Sequence, residues 1–475
     1  MAAAVLCSGC SLAPTYVKPE VGAPSAFKEL PLRRSEDGTL WKQAEPMDAG
    51  ARGNWWVLFG DARLDELEAK LDVSNQNVAA AASRFLAARA AVARARSQYS
   101  PTATTSPGVS RTRPGATQFG ISENTPFTEY SLPFDASWQP DFWGKTRSAV
   151  AASAFAAQAS AADLENVRLS AHAELAVDYY QLRAQDAFEV LLDSAAAADA
   201  EGLSLARTLN KAGLDSDQPV AAAAAQLDTV RAQSANAGIL RAQYEHAIAA
   251  LLGVSASTFS ISAEPFSAPV PAYPAGVPSE LLERRPDVAA AERAVASANA
   301  AIGVARAAYF PSLTLSAAGG FDAFSLARWL AWSSRFWSVG ASASETLFDG
   351  GARGAAVRQA TALRDEAAAG YRQTVLAAFQ QVEDGLASVR ISAEDVKRQD
   401  SAVEAGGRNL EEERARFQAG LDPYLDVVAA STALVSLEQT ALAYRIQQVV
   451  ADVSLIEALG GGWDAARLPP AKELR

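Results

Sequence analysis

Residues 371–417 read YRQTVLAAFQQVEDGLASVRISAEDVKRQDSAVEAGGRNLEEERARF. Apolar side chains recur there at Val375, Phe379, Val382, Leu386, Val389, Ala393 and Val396, then at Val403, Leu410 and Phe417. The steps alternate four and three, the seven-residue seam of helices packed knobs-into-holes with a left-handed supercoil. No proline occurs from Gly350 to Asp422, so nothing forces this helix to stop. About 65–70 residues at ~1.5 Å each make a rod on the order of 100 Å. The pair Gly406-Gly407 predicts a local weakness or bend within it.

The rod turns at Gly420 to Pro423 and returns to Leu459-Gly460 with a seam of its own: Leu425, Val428, Val435, Leu442, Ile446, Val449, Val453 and Ile456. The same plan stands earlier in the chain. An Ala-rich helical stretch without proline runs from Gly144 to Gln218, Gly213 and Pro219 mark a tight turn, and a return helix reaches Leu252-Gly253. Gly213 and Gly420 are 207 residues apart, and so are Gly253 and Gly460. Ahead of each rod lies a shorter helix, one from Ser74 to about Gln98, the other from Pro286-Asp287 to Tyr309-Phe310-Pro311. Matching order and spacing predict a tandem structural repeat.

Between the shorter and longer helices the period changes to two. Tyr130, Leu132, Phe134, Ala136 and Trp138 alternate with Ser131, Pro133, Asp135, Ser137 and Gln139. Leu313, Leu315 and Ala317 alternate with Thr314, Ser316 and Ala318, and Trp337, Val339, Ala341 and Ala343 with Ser338, Gly340, Ser342 and Ser344. Thr102 to Ser110 alternates weakly, Pro133 leaves the register around it open, and 111–129 reads as a polar loop. Strands of roughly 9–11 residues are long enough to cross a bilayer when tilted. Four per chain cannot close a membrane barrel, whose smallest bacterial form has about eight, and an open edge is not tolerated in lipid. Strands that span a membrane therefore require an oligomer. Aromatics gather where strand meets helix, at Tyr99, Trp138, Phe142, Trp143, Tyr309, Phe310 and Phe348. That placement fits an interfacial girdle, with plain packing between sheet and helix as the alternative.

The 475 residues carry a formal charge of −12, with no basic patch interleaved with aromatics, which argues against a nucleic-acid surface. No run of 18 or more apolar residues predicts a transmembrane helix. The two cysteines, Cys7 and Cys10, sit at the N-terminus, so the body of the chain has no thiols for a disulfide or a multi-cysteine zinc site. His172 and His246 read as helix-surface or core residues rather than metal ligands. Gly144-Lys145-Thr146 is not a phosphate-binding loop, because Gln139 stands where its first glycine belongs, and no hydrolase, metalloprotease or dinucleotide motif occurs. Catalysis is not expected, and no cofactor is.

Cys7-Ser8-Gly9-Cys10 has the small-small-Cys pattern of a bacterial lipoprotein cleavage site. The apolar stretch before it is short and lacks a basic start, so either the start is truncated or the match is accidental. A lipid on Cys10 would anchor the chain without spanning the membrane, and Ser11 after the cysteine points to outer-membrane sorting. Residues 11–60 read as an extended segment docked by Trp55-Trp56 and Phe59, with Asp61 capping a short helix that bears Leu64, Leu67 and Leu71 on one face.

These segments together resemble an outer-membrane factor of the TolC/OprM class, in the lipoprotein (NodT-type) branch that serves tripartite efflux pumps. The residues that carry the resemblance are Gly9-Cys10-Ser11-Leu12-Ala13-Pro14, Trp55-Trp56 with Phe59 and Asp61, and Leu281-Leu282 with Arg284-Arg285-Pro286-Asp287. Further on they are Gly303 with Ala305-Arg306, Tyr309-Phe310-Pro311, Leu347-Phe348-Asp349-Gly350-Gly351, and Gly420-Leu421 with Tyr424-Leu425-Asp426-Val427. The resemblance covers nearly the whole chain. It implies a mainly α protein with a membrane β-barrel portion: a homotrimer with four strands per chain in a twelve-stranded barrel and long helices forming a periplasmic α-barrel closed at its far tip. It implies a periplasmic adaptor and an inner-membrane RND pump as partners, outer-membrane lipid around the barrel, and lipid on Cys10. It also implies that carboxylates just after the helix-helix turns line the closed tip. Asp426 matches the first such position. Ala429 and Pro219 stand where the family often has Asp, with Asp422, Asp215 and Asp217 nearby; capping and turn chemistry are an equal reading of all these aspartates. Arg284, Arg285 and Asp287 read as structural.

The expected organisation is a lipoprotein signal remnant (1–10), an N-terminal extended segment (11–60), a first repeat (61–263, strands near 102–110 and 130–139) and a linker (264–278). A second repeat (279–462, strands near 312–320 and 336–346) and a C-terminal tail (463–475) follow. The expected function is an exit channel that passively conducts small molecules. A protein-secreting type I duct and a lipid-anchored coiled-coil scaffold without a pore are the competing readings.

Overall fold

The computed structural model describes residues 12–24, 26–29, 54–113, 126–267, 281–470 and 472–474; Cys10 and linker residues 268–278 lie outside them. Two helical hairpins dominate. Helices α3 (Lys145–Lys211) and α4 (Asp217–Leu251) form the first, α7 (Ala352–Gln418) and α8 (Tyr424–Ala458) the second. The long arms have 67 residues each and the return arms 35, so each long arm extends about 100 Å. All four pairs of helix ends are displaced by 207 residues, which makes the tandem repeat structural. The shorter helices are α1 (Ala62–Ser74), α2 (Gln76–Ser97), α5 (Leu281–Arg284) and α6 (Pro286–Ala307).

Both long arms start in the same way. A glycine with positive φ (Gly144 at 73°, Gly351 at 90°) turns the chain into the helix. A carboxylate just upstream then takes up free backbone N–H groups: Asp141 accepts from Thr146 and Arg147 at 3.1 and 2.8 Å, Asp349 from Gly351 and Arg353 at 2.9 and 3.1 Å. The hairpin turns close on Gly213 (φ 70°) and Gly420 (φ 74°), where Leu214 N–H donates to Leu209 O and Leu421 N–H to Arg416 O, both at 3.0 Å. The first turn comes earlier than the absence of proline predicted, because helix-ending glycine geometry acts at Gly213 before Pro219 is reached.

The seam of α7 is buried at Val375, Phe379, Val382 and Leu386, against Val288 and Val295 of α6, Leu455 and Ala458 of α8, and Leu459 just after it. Further along, Ser392 is buried and Ala393 exposed, the reverse of the expected seam. A straight helix drifts by about 20° per heptad from a perfect seven-residue repeat, and Ser392 enters without an unmet hydroxyl because its Oγ donates to Ser388 O at 2.6 Å. The helix also runs unbroken through Gly406-Gly407. Gly406 serves contact: a Cβ there would lie 2.8 Å from Leu437 Cδ1 of α8.

Trp55, Trp56 and Phe59 are buried with Leu64, Leu67 and Leu71 of α1 against Leu175, Tyr179 and Tyr180 of α3 and Val449, Val453 and Ile456 of α8. Asp61 caps α1, accepting from Arg63 and Leu64 N–H at 2.9 and 3.0 Å, and its other oxygen accepts from Tyr179 Oη at 2.8 Å. Helix α8 is long and apolar enough to cross a bilayer by length and composition, with a window of mean hydropathy 1.2. Val449, Val453 and Ile456 of that helix nevertheless belong to the buried core.

Asp452 of α8 is only 5% exposed, and one of its carboxylate oxygens has no hydrogen-bond partner among the described residues. Burial pushes it up to about 7. The folded state thus holds this proton through the window from about 4 to 7 in which the unfolded chain releases it, and Asp452 subtracts stability as pH rises. Asp452→Asn is expected to flatten that slope and to stabilise the protein at about pH 8 by roughly 1–3 kcal/mol. Circular-dichroism melts at about pH 5 and about pH 8 check this; equal melting of variant and parent at the higher pH sinks it.

The strands are β1 (Thr102–Thr105), β2 (Gly108–Thr112), β3 (Phe127–Trp138), β4 (Ser312–Ala323) and β5 (Arg335–Ser344), all antiparallel to their neighbours. β1 and β2 pair with β3 in one continuous register, Thr105 opposite Phe134 and Gly108 opposite Ser131. They are a single track broken at Ser106-Pro107 rather than the unbroken strand expected. Continued through the break, that register sets Pro133 opposite Ser106 and Pro107 opposite Leu132, and neither proline has an N–H to give the ladder. Pro133 stays within β3, opposite Gly320. β3 begins earlier than expected because Phe127 to Glu129, read as part of the polar loop, pair with Thr112, Arg111 and Ser110. β5 stops at Ser344 because its partner Ser312 is the first residue of β4 after Pro311.

Candidate functional site

Residues opposite one another across an antiparallel ladder face the same side of the sheet. The register therefore places Tyr130, Leu132, Phe134, Ala136 and Trp138 with Leu313, Leu315, Ala317 and Phe321, and with Trp337, Val339, Ala341 and Ala343, on one face. The other face carries Ser131, Asp135 and Ser137, Thr314, Ser316 and Asp322, and Ser338, Ser342 and Ser344. One side suits lipid and the other suits water. The sheet order is β1/β2–β3–β4–β5, leaving two free edges that run in opposite directions. The α-helices that lead into or out of the sheet, α2, α3, α6 and α7, all meet it at one end.

At that end the predicted aromatics come together. Trp143 stacks on Phe310 with centroids 4.9 Å apart and donates from Nε1 to Pro311 O at 2.7 Å. Arg353 lies 5.3 Å above the ring of Tyr309. Tyr99, Phe142, Trp143, Tyr309, Phe310 and Phe348 are exposed, whereas Trp138 is half-buried at the end of β3. The opposite end has a second aromatic belt that sequence reading missed: Phe127 against Phe324 at 5.3 Å, Tyr130 against Trp329 at 6.1 Å, and exposed Trp332 and Trp337. Its signal was present in residues 329–337, WLAWSSRFW, with four aromatics in nine residues.

The predicted tip aspartates separate into two hairpins. In the first, Asn210 Nδ2 donates to Asp217 Oδ1 at 3.0 Å, and Asp215 Oδ1 accepts from Ser216 N–H at 2.7 Å. Both carboxylates serve the turn. In the second, Asp422 pairs with Arg416, whose guanidinium holds the Asp422 carboxyl below its usual range. Asp426 is exposed, with no side-chain partner among the described residues. Its carboxylate gathers with those of Asp422 and Glu413, ligand oxygens lying within 4.8 Å of one another. Glu413 was not predicted, because it sits two turns back on α7 and only the hairpin brings it round. Behind the tip, Tyr424 fills the space left by Gly202 of α3, where a Cβ would lie 1.9 Å from the phenol oxygen.

His172 is a core residue. Its Nδ1 lies 2.6 Å from Glu68, its Nε2 3.3 Å from Asp72, and its ring stacks on Trp56 at 4.3 Å. Burial raises Glu68 to about 7, with His172 opposing the shift. His246 is exposed.

Comparison with known proteins places this architecture. A family model described as Outer membrane efflux protein matches residues 69–254 and 277–461, one match for each repeat. The Toluene efflux pump outer membrane protein TtgF of Pseudomonas putida is 29% identical over 464 residues, covering 98% of this chain and 96% of the relative. The Pyoverdine export outer membrane protein OpmQ of Pseudomonas aeruginosa is 30% identical over 480 residues, covering 98% and 97%. The solved outer-membrane channel OprN superposes with a TM-score of 0.86 at 29% identity, covering 96% of this chain and 100% of that one. The Campylobacter jejuni CmeC outer membrane channel has the same fold, with a TM-score of 0.89 at 23% identity. Matched in both repeats and aligned with its relatives over nearly their full length, the chain belongs to the outer membrane efflux protein family.

Proposed function

We propose that three copies of this chain form an exit duct through the outer membrane for small molecules, fed by a periplasmic adaptor and an inner-membrane pump. One observation carries the reading: each sheet has an apolar face, a small polar face and two free edges of opposite direction. Three such sheets close edge to edge as an all-antiparallel barrel of twelve tracks, with Ser, Thr and Gly lining a wet lumen. The helical hairpins then extend the lumen into the periplasm by about 100 Å. The substrate class follows from relatives named for toluene and pyoverdine. The chain conducts and does not catalyse; transport energy comes from the pump. A pore-less scaffold would leave both sheet edges and the apolar face without a partner. Single-particle imaging of protein extracted from outer membranes tests the duct: a three-fold hollow cylinder is expected, and a solid or monomeric rod overturns it.

The tip carboxylates form the resting gate. With Asp422 engaged by Arg416, Asp426 contributes the open charge, repeated three times around the axis and attractive to cations. Asp426→Ala is expected to raise the resting single-channel conductance and to lower the cation-to-anion permeability ratio by roughly two-fold or more. An unchanged conductance and ratio in planar bilayers would remove Asp426 from the gate.

Lipid on Cys10 anchors the N-terminus at the inner aromatic belt. Leu12 O accepts from Arg306 at 3.4 Å, Ala13 lies against Gly303, and Pro14 O accepts from Asn299 at 2.8 Å. This places the segment on the last turns of α6, just before Tyr309-Phe310. Two residues of chain, at most about 7 Å, separate Leu12 from Cys10. Cys10→Ser is expected to abolish incorporation of labelled palmitate in cells; retained label overturns the anchor.

A further inference from the structure

The chain is acidic overall, yet the outer end of its sheet is basic on one side. Arg111 of β2 lies opposite Thr128, and Arg335 of β5 opposite Phe321, which puts both on the apolar face at the end away from the helices. Arg328 stands in the β4–β5 connection next to Trp329, whose ring packs on Tyr130 of that face. All three arginines are exposed, and none has a carboxylate partner among the described residues. Arg335 is held in place: its Nε donates to Trp332 O at 3.0 Å and its guanidinium lies over the Trp332 ring. Among the described residues, the carboxylates of this end, Glu129 and Asp322, lie on the polar face instead.

We propose that Arg111, Arg328 and Arg335 form an outward rim that binds the phosphate groups of the glycolipid in the outer leaflet. The inference rests on the barrel reading, which sets the apolar face in lipid and this end at the cell exterior. Three features select that partner. The arginines sit at the edge of a lipid-facing surface, where anionic head groups are the available charges. Exposed Trp332 and Trp337 beside them fit the boundary between acyl chain and head group. A guanidinium meets a phosphate through two parallel N–H donors, and one already oriented by Trp332 loses less freedom on binding. Closing the sheets would also bring the β5 edge of one copy, with Arg335, to the β1/β2 edge of the next, with Arg111. Each seam of the barrel would then carry charges from both copies.

The test uses the full-length protein in non-ionic detergent, titrated with bisphosphorylated lipid A and with the same lipid after removal of its phosphates, bound lipid being counted by native mass spectrometry. The parent protein is expected to prefer the phosphorylated lipid by about tenfold or more. The variant R111Q/R328Q/R335Q should lose that preference while still migrating as a detergent-resistant trimer. A parent protein indifferent to the phosphates, a variant that keeps the preference, or complete competition by inorganic phosphate at equal concentration each overturns the lipid assignment. If the parent chain forms no trimer, the barrel reading itself falls and takes the rim with it.

Discussion

Gly320→Val is expected to abolish the detergent-resistant trimer proposed above, whereas Gly319→Val next to it is tolerated. A Cβ at Gly320 would lie 2.1 Å from Leu132 O and 2.9 Å from Pro133 Cα, both backbone atoms of β3. A flexible side chain could move aside; a paired strand cannot. The neighbourhood has little to give, since Pro133 and Pro107 supply no N–H and the ladder is already thin there. Forcing β3 and β4 apart costs more than about 3 kcal/mol and releases the register that separates the apolar from the polar face. At Gly319 the nearest atoms to a new Cβ are Phe336 O at 3.5 Å and Trp337 Cβ at 3.8 Å, ordinary contacts on the apolar face. Heat-modifiable mobility of outer-membrane fractions reads the difference. Gly320→Val trimers as resistant as the parent's would show that the strands are not paired in this register.

Arg285→Ala is expected to lower stability by about 2–4 kcal/mol, with Arg285→Lys in between, because a lysine keeps the charge but not the fork. The Arg285 guanidinium is buried. Its Nε and one terminal nitrogen bind Asp287 at 3.0 and 2.7 Å, and the other terminal nitrogen donates to Ala458 O at 2.9 Å. Ala458 is the last residue of α8, so that carbonyl has no partner within the helix. The chain end packs tightly there: Gly460 has φ 91°, and a Cβ on it would lie 2.1 Å from Arg284 O. Arg285 thus joins the end of the second hairpin to the start of α6, and its loss strands both Asp287 and the α8 terminus. The Asp287 side chain is a quarter exposed, which keeps the cost below that of a wholly buried pair. Thermal melts in detergent check the value; an Arg285→Ala protein melting with the parent would make this junction incidental.

The Arg285-Pro286-Asp287 segment was legible as a helix start, because proline at the first helical position and an acidic second residue are local preferences. That Arg285 reaches across to Ala458, 173 positions away, was not. The aromatic belt at the helix end was legible because its residues flank strand boundaries. The belt at the other end was not legible because Trp329 and Trp332 lie in the β4–β5 connection, where no period orders them. At the tip, Asp426 was legible from the turn, but the pairing of Asp422 with Arg416 and the approach of Glu413 depend on how α7 meets the hairpin. Ala393 failed as a seam residue because a helix does not hold a strict seven-residue period over its whole length without continuous supercoiling.

By itself the sequence determined the elements and their order: two rods with their return arms, the alternating strands, the glycine turns and the 207-residue repeat. These follow from backbone periods and turn stereochemistry, which act over a few residues and so leave their mark in the local order of side chains. Only the tertiary structure decided which face of each strand meets which neighbour, that the β1/β2 track breaks at Ser106-Pro107 beside Pro133 of β3, and that basic and acidic residues part to opposite faces at the end of the sheet away from the long helices. It also decided that the N-terminal segment lies along α6 beside the aromatic belt. Those outcomes depend on register and on the rotation of each helix about its axis, and both are set by contacts between residues far apart in the chain.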